Sequence, residues 1–425
     1  MGMSRRQFLQ VCGLGTLGVA GAGMLSGCGE SAPASGSSAP ASDVANKDKP
    51  VVFYNRQPSN SSTGELDMDT LNWNKDTYYV GFDANQGGEL QGQMIVDYIK
   101  KHAAEIDRNG DGIIGYVLAV GDIGHNDSIA RTRGCRKALG TAVEKDGAIV
   151  SDPVGTNTDG SAKVVQDGSV EVDGKTYVVR ELASQEMKSQ AGATWDAATA
   201  GNAISNWASS FGDQIDLIVS NNDGMGMAMF TGWSKENKVP TFGYDANSDA
   251  VAAIAEGYAG TISQNPAVQA YLTLRILRNI LDGVDIDTGI GTEDEAGNVI
   301  AADDYKYSKE DRSYYAMNLA VTEDNYKDFT DATAQYKTAQ SEIKGDEKKV
   351  WLDTYNSADN FLSSTYVPLL QKYDKMLKLK VEYIAGDGQN EANITNRLGN
   401  PSEYDAFAFN MVKTDNGKSY TELLK

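Results

Sequence analysis

The chain has 425 residues, of which 59 are acidic and 38 are basic, so its formal net charge is −21, and 40% of its residues are hydrophobic. An acidic surface of this kind repels nucleic acid and anionic lipid, which disfavours a DNA-binding role. The length predicts roughly two to three domains, and there is enough apolar material for a sizeable core.

Residues 1–27 are predicted to be an export signal. Ser4-Arg5-Arg6-Gln7-Phe8-Leu9 resembles a twin-arginine signal and is followed by an apolar stretch from Val11 to Leu25. That stretch is short and rich in glycine, which disfavours the alternative of a membrane-spanning anchor. Leu25-Ser-Gly-Cys28 resembles a bacterial lipobox, so Cys28 is expected to carry a lipid that anchors the exported protein to the outer face of the cytoplasmic membrane. Residues 28–49 are then a flexible tether.

The cysteines predict a mature chain without an intramolecular disulfide. Cys12 lies in the predicted signal and Cys28 is the predicted lipidation site, so only Cys135 remains. Cys135 falls in a helical pattern and is expected to be a small buried hydrophobe.

Strand and helix patterns alternate along the rest of the chain. Buried-strand patterns cover Val51–Tyr54, Tyr78–Phe82, Ile113–Val120, Leu217–Ser220, Thr241–Tyr244, Gly260–Ser263, Tyr315–Val321, Val350–Tyr355, Val381–Ala385 and Ala406–Met411. Helical patterns cover Glu89–Ile106, a segment from His125 through Leu139, a segment opened by Trp195, and residues 267–281, 359–377, 390–398 and 419–424. Repeated strand–helix units predict an α/β fold with parallel sheets and right-handed crossovers.

Two segments interrupt this alternation. Residues 151–187 contain Asp-Gly turns between alternating apolar residues, which predicts an inserted antiparallel hairpin over residues 164–179. Residues 284–312 form an acidic, irregular insertion. The sequence assigns no role to either insertion.

Polar residues follow most of the predicted strands, namely Asn55, His125, Asp127, Asn222, Asp245, Gln264 and Asp359. Ligands of open α/β sheets bind at the carboxyl ends of the strands. His125, Asp127 and Arg131 follow Ile113–Val120, and Asp127 and Arg131 can share one helix face because they are four residues apart. An imidazole, a carboxylate and a guanidinium together can grip vicinal hydroxyl groups. The alternative is that Asp127 caps the helix and forms a solvated ion pair with Arg131.

Asp107-Arg-Asn109-Gly-Asp111-Gly-Ile113 has the spacing of the first half of a calcium-binding EF-hand loop. The carboxylate expected at the twelfth position is missing, because that position is Leu118. Calcium needs six to eight oxygen ligands, so a further acidic residue must come from elsewhere in the chain. The alternative is a plain turn built from Asp, Asn and Gly.

These motifs in combination resemble the bacterial periplasmic D-galactose/D-glucose-binding proteins, the type 1 sugar-binding proteins of ABC transporters. They are Pro50-Val-Val-Phe-Tyr-Asn55-Arg-Gln-Pro, Tyr78-Tyr-Val-Gly, the Asp107 loop, Gly124-His125-x-Asp127-x-x-x-Arg131-Thr, Ser220-Asn-Asn222-Asp-x-Met-x-Met and Phe242-Gly-Tyr-Asp245-Ala. The resemblance implies a periplasmic-binding-protein type I fold, in which two α/β lobes joined by three crossings close on one sugar.

The order of the segments differs from that family, and we infer a circular permutation. The family begins with strand–helix units that precede its Pro-Val-Val-Phe motif, whereas signal and tether alone precede Pro50 here. The missing units resemble three segments of the tail, around Asp353–Phe361, Asp387–Asn390 and Tyr404–Met411. Residues 338–349 would join the family's natural ends. The alternative is a truncated protein followed by an unrelated domain.

The resemblance also implies boundaries and residue roles. Lobe 1 would comprise residues 50–83, 264–312 and 350–425, and lobe 2 residues 84–263 and 313–337. Trp195 and Phe361 would sandwich the sugar ring, although core packing is the alternative for either residue alone. The polar sugar contacts would be Asn55, His125, Asp127, Arg131, Asn222, Asp245, Gln264 and Asp359.

Two departures from the family affect these roles. Gln264 stands where the family has Asn, which could shrink the pocket. The calcium ligands would be Asp107, Asn109, Asp111, the Ile113 carbonyl and Asp216, but Gly115 replaces a Gln ligand and Asp216 replaces a Glu. Calcium is therefore expected to bind more weakly than in the family.

We therefore expect a monomeric, lipid-anchored binding protein that captures glucose or galactose by hinge closure and delivers it to an ABC transporter permease, without catalysis. One alternative is a sensory binding protein that reports to a receptor or kinase. A glycosidase is a second alternative, but Arg131 beside Asp127 would keep that carboxyl ionised and poor as a general acid. A sugar-responsive repressor is disfavoured because the chain has no helix-turn-helix pattern and carries the wrong charge.

Overall fold

The computed structural model describes residues 46–60, 65–146, 148–149, 155–156, 165–234, 238–291, 300–330, 343, 345–356, 359–386, 396, 398–411 and 413–424. The predicted signal, Cys28 and most of the tether lie outside these ranges. So do residues 390–395 and 397 of one predicted helix and residues 338–342 and 344 of the predicted linker 338–349.

Seven of the described strands form a first sheet in which the two N-terminal strands lie side by side, with strands from later parts of the chain on both sides of them. Val51–Tyr54 pairs in parallel with Thr77–Phe82 on one side and with Ala406–Phe409 on the other. All neighbouring strands are parallel except the edge hairpin, which is antiparallel. In spatial order they are Tyr305–Ser308, Ser313–Ala316, Thr77–Phe82, Val51–Tyr54, Ala406–Phe409, Lys348–Asp353 and Leu379–Ile384.

Eight described strands form a second sheet around Ile113–Val120, which is almost entirely buried, as a parallel strand covered on both faces should be. In spatial order they are Leu319–Val321, Tyr258–Ser263, Thr241–Phe242, Leu217–Ser220, Ile113–Val120, Lys175–Glu186 and Gly155–Thr156, with Gly168–Val172 also paired to Lys175–Glu186. The first, seventh and eighth of these pair antiparallel to their neighbours. Glu144–Lys145 and Ala148–Ile149 form a separate two-stranded ribbon.

Helices cover the faces of both sheets. The α-helices are Met68–Leu71, Ala84–Ile106, Asn126–Ala138, Ala197–Phe211, Asp223–Gly232, Ser248–Ala253, Pro266–Asp282, Val367–Met376 and Gly417–Glu422. Short 3-10 turns occupy Gly212–Gln214, Ile254–Glu256, Ala302–Asp304, Tyr326–Phe329, Pro401–Glu403 and Thr414–Asn416, and Leu362–Tyr366 is a π-helical turn. No described helix is both long and apolar enough to span a membrane.

Two of these helices follow passages of the chain from one sheet to the other. Asp83 caps Ala84–Ile106, because its carboxylate accepts hydrogen bonds from the backbone N–H groups of Asn85 at 3.0 Å and Gln86 at 3.1 Å. Pro266–Asp282, called here the crossing helix, starts with proline and ends at Gly283, whose φ of 66° suits a helix C-terminus. The crossing helix buries its apolar face in the core of the first sheet.

Most predicted strands are confirmed, three of them with unchanged bounds: Val51–Tyr54, Ile113–Val120 and Leu217–Ser220. Cys135 is buried and free, as expected. The hairpin turn at Asp173-Gly174 is also confirmed, with φ values of 50° and 80° that are typical of a tight hairpin. Its second strand, Lys175–Glu186, is however part of the second sheet and pairs in parallel with Ile113–Val120. This part of the predicted insertion therefore belongs to the sheet itself.

Three predicted elements were wrong in detail. Tyr315–Val321 is two strands, Ser313–Ala316 in the first sheet and Leu319–Val321 in the second. The break falls at Asn318, whose side chain donates to the Asp83 carbonyl oxygen at 2.8 Å and accepts from the Tyr244 hydroxyl at 2.8 Å. The helix predicted for residues 359–377 begins with the π-helical turn and becomes α-helical only at Val367. Trp195 precedes its helix, which is capped by Asp196.

Candidate functional site

The carboxyl ends of the two sheets lie against each other. Asn55 follows the first-sheet strand Val51–Tyr54, and its Nδ2 donates to Gln264 Oε1, which follows a strand of the second sheet, at 3.3 Å. Asn126 Nδ2 donates to Ser59 Oγ at 2.8 Å in a second contact of this kind. The polar side chains that the sequence places after separate strands are thus brought to one region.

His125 rather than Asp127 caps the helix Asn126–Ala138, called here the site helix. Its Nδ1 accepts a hydrogen bond from the Asp127 backbone N–H at 3.2 Å. Burial lowers the His125 pKa to about 4, and the Arg56 guanidinium acts in the same direction. Because Nδ1 is an acceptor in a neutral ring, the proton is on Nε2, which is therefore a hydrogen-bond donor.

Arg131 pairs with Asp245 and not with Asp127, so the alternative of a local, solvated ion pair is wrong. Arg131 is 4% exposed, and one terminal nitrogen lies 2.8 Å from the Asn221 carbonyl oxygen and 3.5 Å from Asp245 Oδ1. The guanidinium carbon is 3.7 Å from the centroid of the Tyr244 ring. Its buried Nε has no hydrogen-bond partner among the described residues. A donor of this kind can bind a ligand oxygen.

Asp245 contacts both Arg131 and Gln264 through its carboxyl group. Its backbone φ is 106°, outside the range that side chains usually adopt, and it is 7% exposed. Gln264 Nε2 donates to its Oδ1 at 2.5 Å. Burial raises the Asp245 pKa to about 7, against the opposing effect of Arg131, and the nearby carboxyl groups of Asp359 and Asp127 raise it further. A strained backbone and a perturbed carboxyl group together are typical of a functional position.

The two predicted aromatic contacts differ in environment. Trp195 is half-buried, with φ of 60°, and its ring is perpendicular to the His125 ring with centroids 5.8 Å apart. A Cβ atom at Gly121 would lie only 2.3 Å from the Trp195 ring, so glycine is required there. Phe361 is 6% exposed and packs edge-on against Tyr366 in the core of the first sheet.

Asn222 and Asp359 both cap a turn of helix while remaining half-buried. Asn222 Oδ1 accepts from the Met225 backbone N–H at 2.9 Å, at the start of Asp223–Gly232. Asp359 Oδ1 accepts from the Leu362 backbone N–H at 3.0 Å. Burial raises the Asp359 pKa, and the guanidinium of Arg56 opposes that effect.

The sequence interpretation missed two residues of this region, Arg56 and Asn410. Arg56 directly follows Asn55, its guanidinium lies 4.3 Å from the Tyr355 ring centroid, and its charge acts on both His125 and Asp359. Asn410 directly follows Ala406–Phe409, and its Nδ2 lies 3.5 Å from Asn55 Oδ1. Asn410 could have been found by the same rule as the others, because it follows a strand.

The predicted calcium loop lies between Ala84–Ile106 and Ile113–Val120. Asp107 Oδ1 is buried and has no hydrogen-bond partner among the described residues, which fits a cation ligand. Asp216 is remote in sequence but adjacent in space, since its Oδ1 accepts from the Arg108 N–H at 3.1 Å and its Oδ2 from the Gly115 N–H at 2.8 Å. Lys175 Nζ lies 3.9 Å from Asp107 Oδ2. Within the described ranges, no three His, Cys, Asp or Glu side chains form a metal-binding group.

Family models match two parts of the chain. A model described as a periplasmic binding protein domain matches residues 33–285, and a second model with the same description matches residues 347–417. The D-galactose/methyl-galactoside binding periplasmic protein MglB of Haemophilus influenzae is 26% identical over 287 residues, which are 66% of this chain and 66% of that protein. The chain thus spans just under two thirds of that relative's length.

Other similar proteins match more locally or more distantly. The xylitol-binding protein of Mycolicibacterium smegmatis is 34% identical over 99 residues, 23% of this chain and 28% of that protein. The solved structure of an ABC transporter solute binding protein from Bacillus halodurans with bound myo-inositol has a TM-score of 0.39 and 18% identity, covering 68% of this chain and 69% of that one. Since the first family model spans more than half of the chain, and since two parallel sheets with flanking helices meet at their carboxyl ends, the chain belongs to the periplasmic binding protein family and has its type I fold.

Proposed function

We propose that this protein captures a neutral monosaccharide, most simply glucose or galactose, between its two sheets. The observation that carries the proposal is the convergence of planar polar groups, namely the Asn55 amide, the His125 imidazole, the Arg131 guanidinium and the Asp245 carboxyl, from the ends of strands in both sheets. Hydroxyl groups both donate and accept, and a site with fixed donors and acceptors rejects ligands that leave them unpaired.

The charge of the site supports a neutral ligand. The carboxyl groups of Asp127, Asp245 and Asp359 face the guanidinium groups of Arg56 and Arg131, which already act on His125, Asp245 and Asp359. An acidic sugar would bring a further negative charge close to these carboxyl groups at a cost in free energy. Catalysis is not part of the proposal, because the Asp245 carboxyl is already engaged: it accepts a hydrogen bond from Gln264 and lies beside the Arg131 guanidinium.

The transport role rests on the family and on the predicted signal. We propose that Cys28 is lipidated, that the monomeric protein is held at the outer face of the cytoplasmic membrane, and that it delivers sugar to an ABC transporter permease. The matched relative MglB is a galactose-binding periplasmic protein, and its family is extracytoplasmic.

We also propose that the chain is circularly permuted relative to its family. Two family models match it separately, at residues 33–285 and 347–417. Of the strands in the second match, Ala406–Phe409 pairs with Val51–Tyr54, and Lys348–Asp353 pairs with Ala406–Phe409. The ends of the described fold are adjacent, since Asn46 Nδ2 donates to the Leu424 carbonyl oxygen at 3.1 Å. Adjacent ends are what a permuted chain requires.

We further propose that calcium binds at the loop that begins with Asp107. Asp107, Asn109, Asp111, the Ile113 carbonyl and Asp216 would hold the ion, and the buried, unpaired Asp107 Oδ1 favours it. Both Asp216 oxygens already accept hydrogen bonds from backbone N–H groups. Burial also raises the Asp216 pKa to about 7, so near neutral pH a fraction of these carboxyl groups is protonated when no cation is bound. Both features weaken Asp216 as a calcium ligand. Calcium at this loop would stabilise the second sheet rather than contact the sugar.

The test is thermal melting of residues 29–425 with D-glucose, D-galactose, D-allose, D-xylose, xylitol and myo-inositol, each with calcium and with chelator. A ligand that binds only the folded state stabilises it by about 2.7 kcal/mol at a hundredfold excess over its Kd. We expect one or more of these sugars to raise the midpoint and calcium alone to raise it slightly. If no polyol shifts the midpoint, the proposed function is wrong.

Sugar affinity is expected to depend on the ionisation of Asp245. Its pKa is about 7 in the folded chain, so between pH 8 and pH 6 the carboxyl gains a proton and loses acceptor strength toward a sugar hydroxyl. Affinity should fall as the pH falls, by at most about tenfold per pH unit below 7. The folding stability of the sugar-free protein depends on pH in the opposite direction. Between about pH 4 and pH 7 the folded chain holds a proton on Asp245 that the unfolded chain has lost, so the contribution of this group to the free energy of unfolding falls as the pH rises.

Calorimetric titration of the sugar found in the melting test, at pH 6, 7 and 8, measures this dependence. The control is Asp245→Asn, which cannot titrate and should bind weakly with little change across the three pH values. A wild-type affinity that is equal at pH 6 and pH 8 would contradict the role given to Asp245.

A further inference from the structure

The Gln264 side chain forms hydrogen bonds with residues that follow strands of both sheets. Its Nε2 donates to Asp245 Oδ1 at 2.5 Å, and its Oε1 accepts from Asn55 Nδ2 at 3.3 Å. Asn55 follows a first-sheet strand and Asp245 a second-sheet strand. The amide of Gln264 therefore bridges two groups that belong to opposite sides of the site.

The bridge starts from a well-fixed backbone. Gln264 follows Tyr258–Ser263, and its carbonyl oxygen accepts from the buried Gln269 Nε2, in the crossing helix, at 2.7 Å. The next residue, Asn265, has φ of 53°, and its N–H donates to Ser263 Oγ at 3.1 Å. Gln264 itself is 3% exposed. Its side chain is consequently directed into the site by the passage of the chain between the sheets.

The amide of Gln264 offers the same chemistry as a sugar hydroxyl, because it donates at one end and accepts at the other. Asn55 and Asp245 are buried or half-buried polar groups that require partners when no ligand is bound. In this arrangement Gln264 pairs with Asn55 Nδ2 and with Asp245 Oδ1, at shorter distances than the 3.5 Å contacts of Asn410 with Asn55 and of Arg131 with Asp245. A ligand hydroxyl that binds both Asn55 and Asp245 has to replace the Gln264 amide.

We propose that Gln264 is a positioning residue that acts as an internal substitute for the ligand. It satisfies Asn55 and Asp245, keeps the two sheet edges together in the ligand-free protein, and competes with the incoming sugar. This inference rests on the proposed function, and it differs from the role that the family resemblance gives to this position, which is a direct contact that strengthens binding.

The two roles predict opposite results for Gln264→Ala. Removal of an internal competitor increases sugar affinity, by about tenfold for the loss of about 1.4 kcal/mol of competing hydrogen bonds, and increases the association rate. Removal of a direct contact decreases affinity. Stopped-flow tryptophan fluorescence with D-galactose and D-glucose measures both the rate and the Kd.

A second measurement needs no sugar. Small-angle X-ray scattering of the ligand-free protein should show a larger radius of gyration for Gln264→Ala than for the wild type, because the bridge between the sheet edges is lost. The matched control is Ser59→Ala, which removes the other described contact of this kind, Asn126 to Ser59, but leaves the Asn55–Gln264–Asp245 chain intact. It should leave the sugar association rate unchanged.

The outcomes are separable. Faster and tighter binding by Gln264→Ala, with a larger ligand-free radius, supports the proposal. Weaker binding, or an unchanged ligand-free radius, overturns it. If neither the wild type nor the variant binds any sugar of the melting panel, the proposed function fails, and the scattering comparison alone then decides whether Gln264 holds the sheets together.

Discussion

Removal of residues 346–425 is expected to abolish folding of the remaining chain. The deleted segment contains Ala406–Phe409, Lys348–Asp353 and Leu379–Ile384, which are all the strands on one side of Val51–Tyr54 in the first sheet. Val350, Trp351, Leu352, Phe407 and Phe409 are all fully buried. Burial of one large apolar side chain contributes about 1.5–3 kcal/mol, and total stabilities are about 5–15 kcal/mol, so the loss exceeds what the chain can tolerate.

Circular dichroism during heating measures this result, and the expected curve of the truncated chain has no cooperative transition. The matched control moves residues 346–425 in front of residue 44 and joins them to it by a short flexible linker. This rearranged chain should melt like the wild type and bind the same sugar, because Asn46 and Leu424 are already in contact. A truncated chain that keeps the wild-type midpoint would show that the tail is a separate domain and would overturn the proposed permutation.

The strand ends of the site could be predicted from the sequence because their signals are local. A buried apolar run followed by a polar residue is a pattern of four to eight residues, and it places Asn55, Asp245 and Gln264 at strand ends. In the structure these three side chains are in contact with one another. Asn318 carries a signal of the same kind, a polar residue inside an apolar run, which marks the passage between sheets. The run was interpreted as one strand because apolar patterns do not report a change of sheet.

The pairing of charges could not be predicted, because it depends on contacts that are distant in sequence. Arg131 and Asp127 are four residues apart on a helix and were the obvious candidates for an ion pair. In the structure Arg131 lies beside Asp245, 114 residues away, and over the ring of Tyr244. His125 takes the capping role because its Nδ1 lies within reach of the Asp127 N–H. The choice between these partners is made by the packing of the second sheet.

Glu181→Ala is expected to destabilise the second sheet severely. Glu181 and Arg136 are both buried, and the Arg136 Nε and Nη2 atoms lie 2.7 Å and 2.8 Å from the two carboxylate oxygens. The Tyr116 hydroxyl also donates to Glu181, at 2.9 Å. Removal of the carboxylate takes the counter-charge away from a buried guanidinium, which costs about 3–5 kcal/mol. Urea unfolding followed by fluorescence should show this loss as a lower midpoint.

The same pair connects the site helix to the second sheet. Arg136 is on the site helix, which begins beside His125 and carries Arg131, and Glu181 is on the neighbouring strand Lys175–Glu186. The double variant Arg136→Met with Glu181→Leu should recover most of the lost stability, because well-packed apolar residues can replace a buried ion pair.

A surface control on the same helix is Lys137→Gln, whose partner Glu89 is half-exposed, and this change should leave the midpoint nearly unaltered. If Glu181→Ala behaves like that surface control, the buried pair does not fix the site helix. The position of His125 and Arg131 must then depend on Asn221. The side-chain oxygen of Asn221 accepts a hydrogen bond from Ser128, and its carbonyl oxygen accepts one from Arg131.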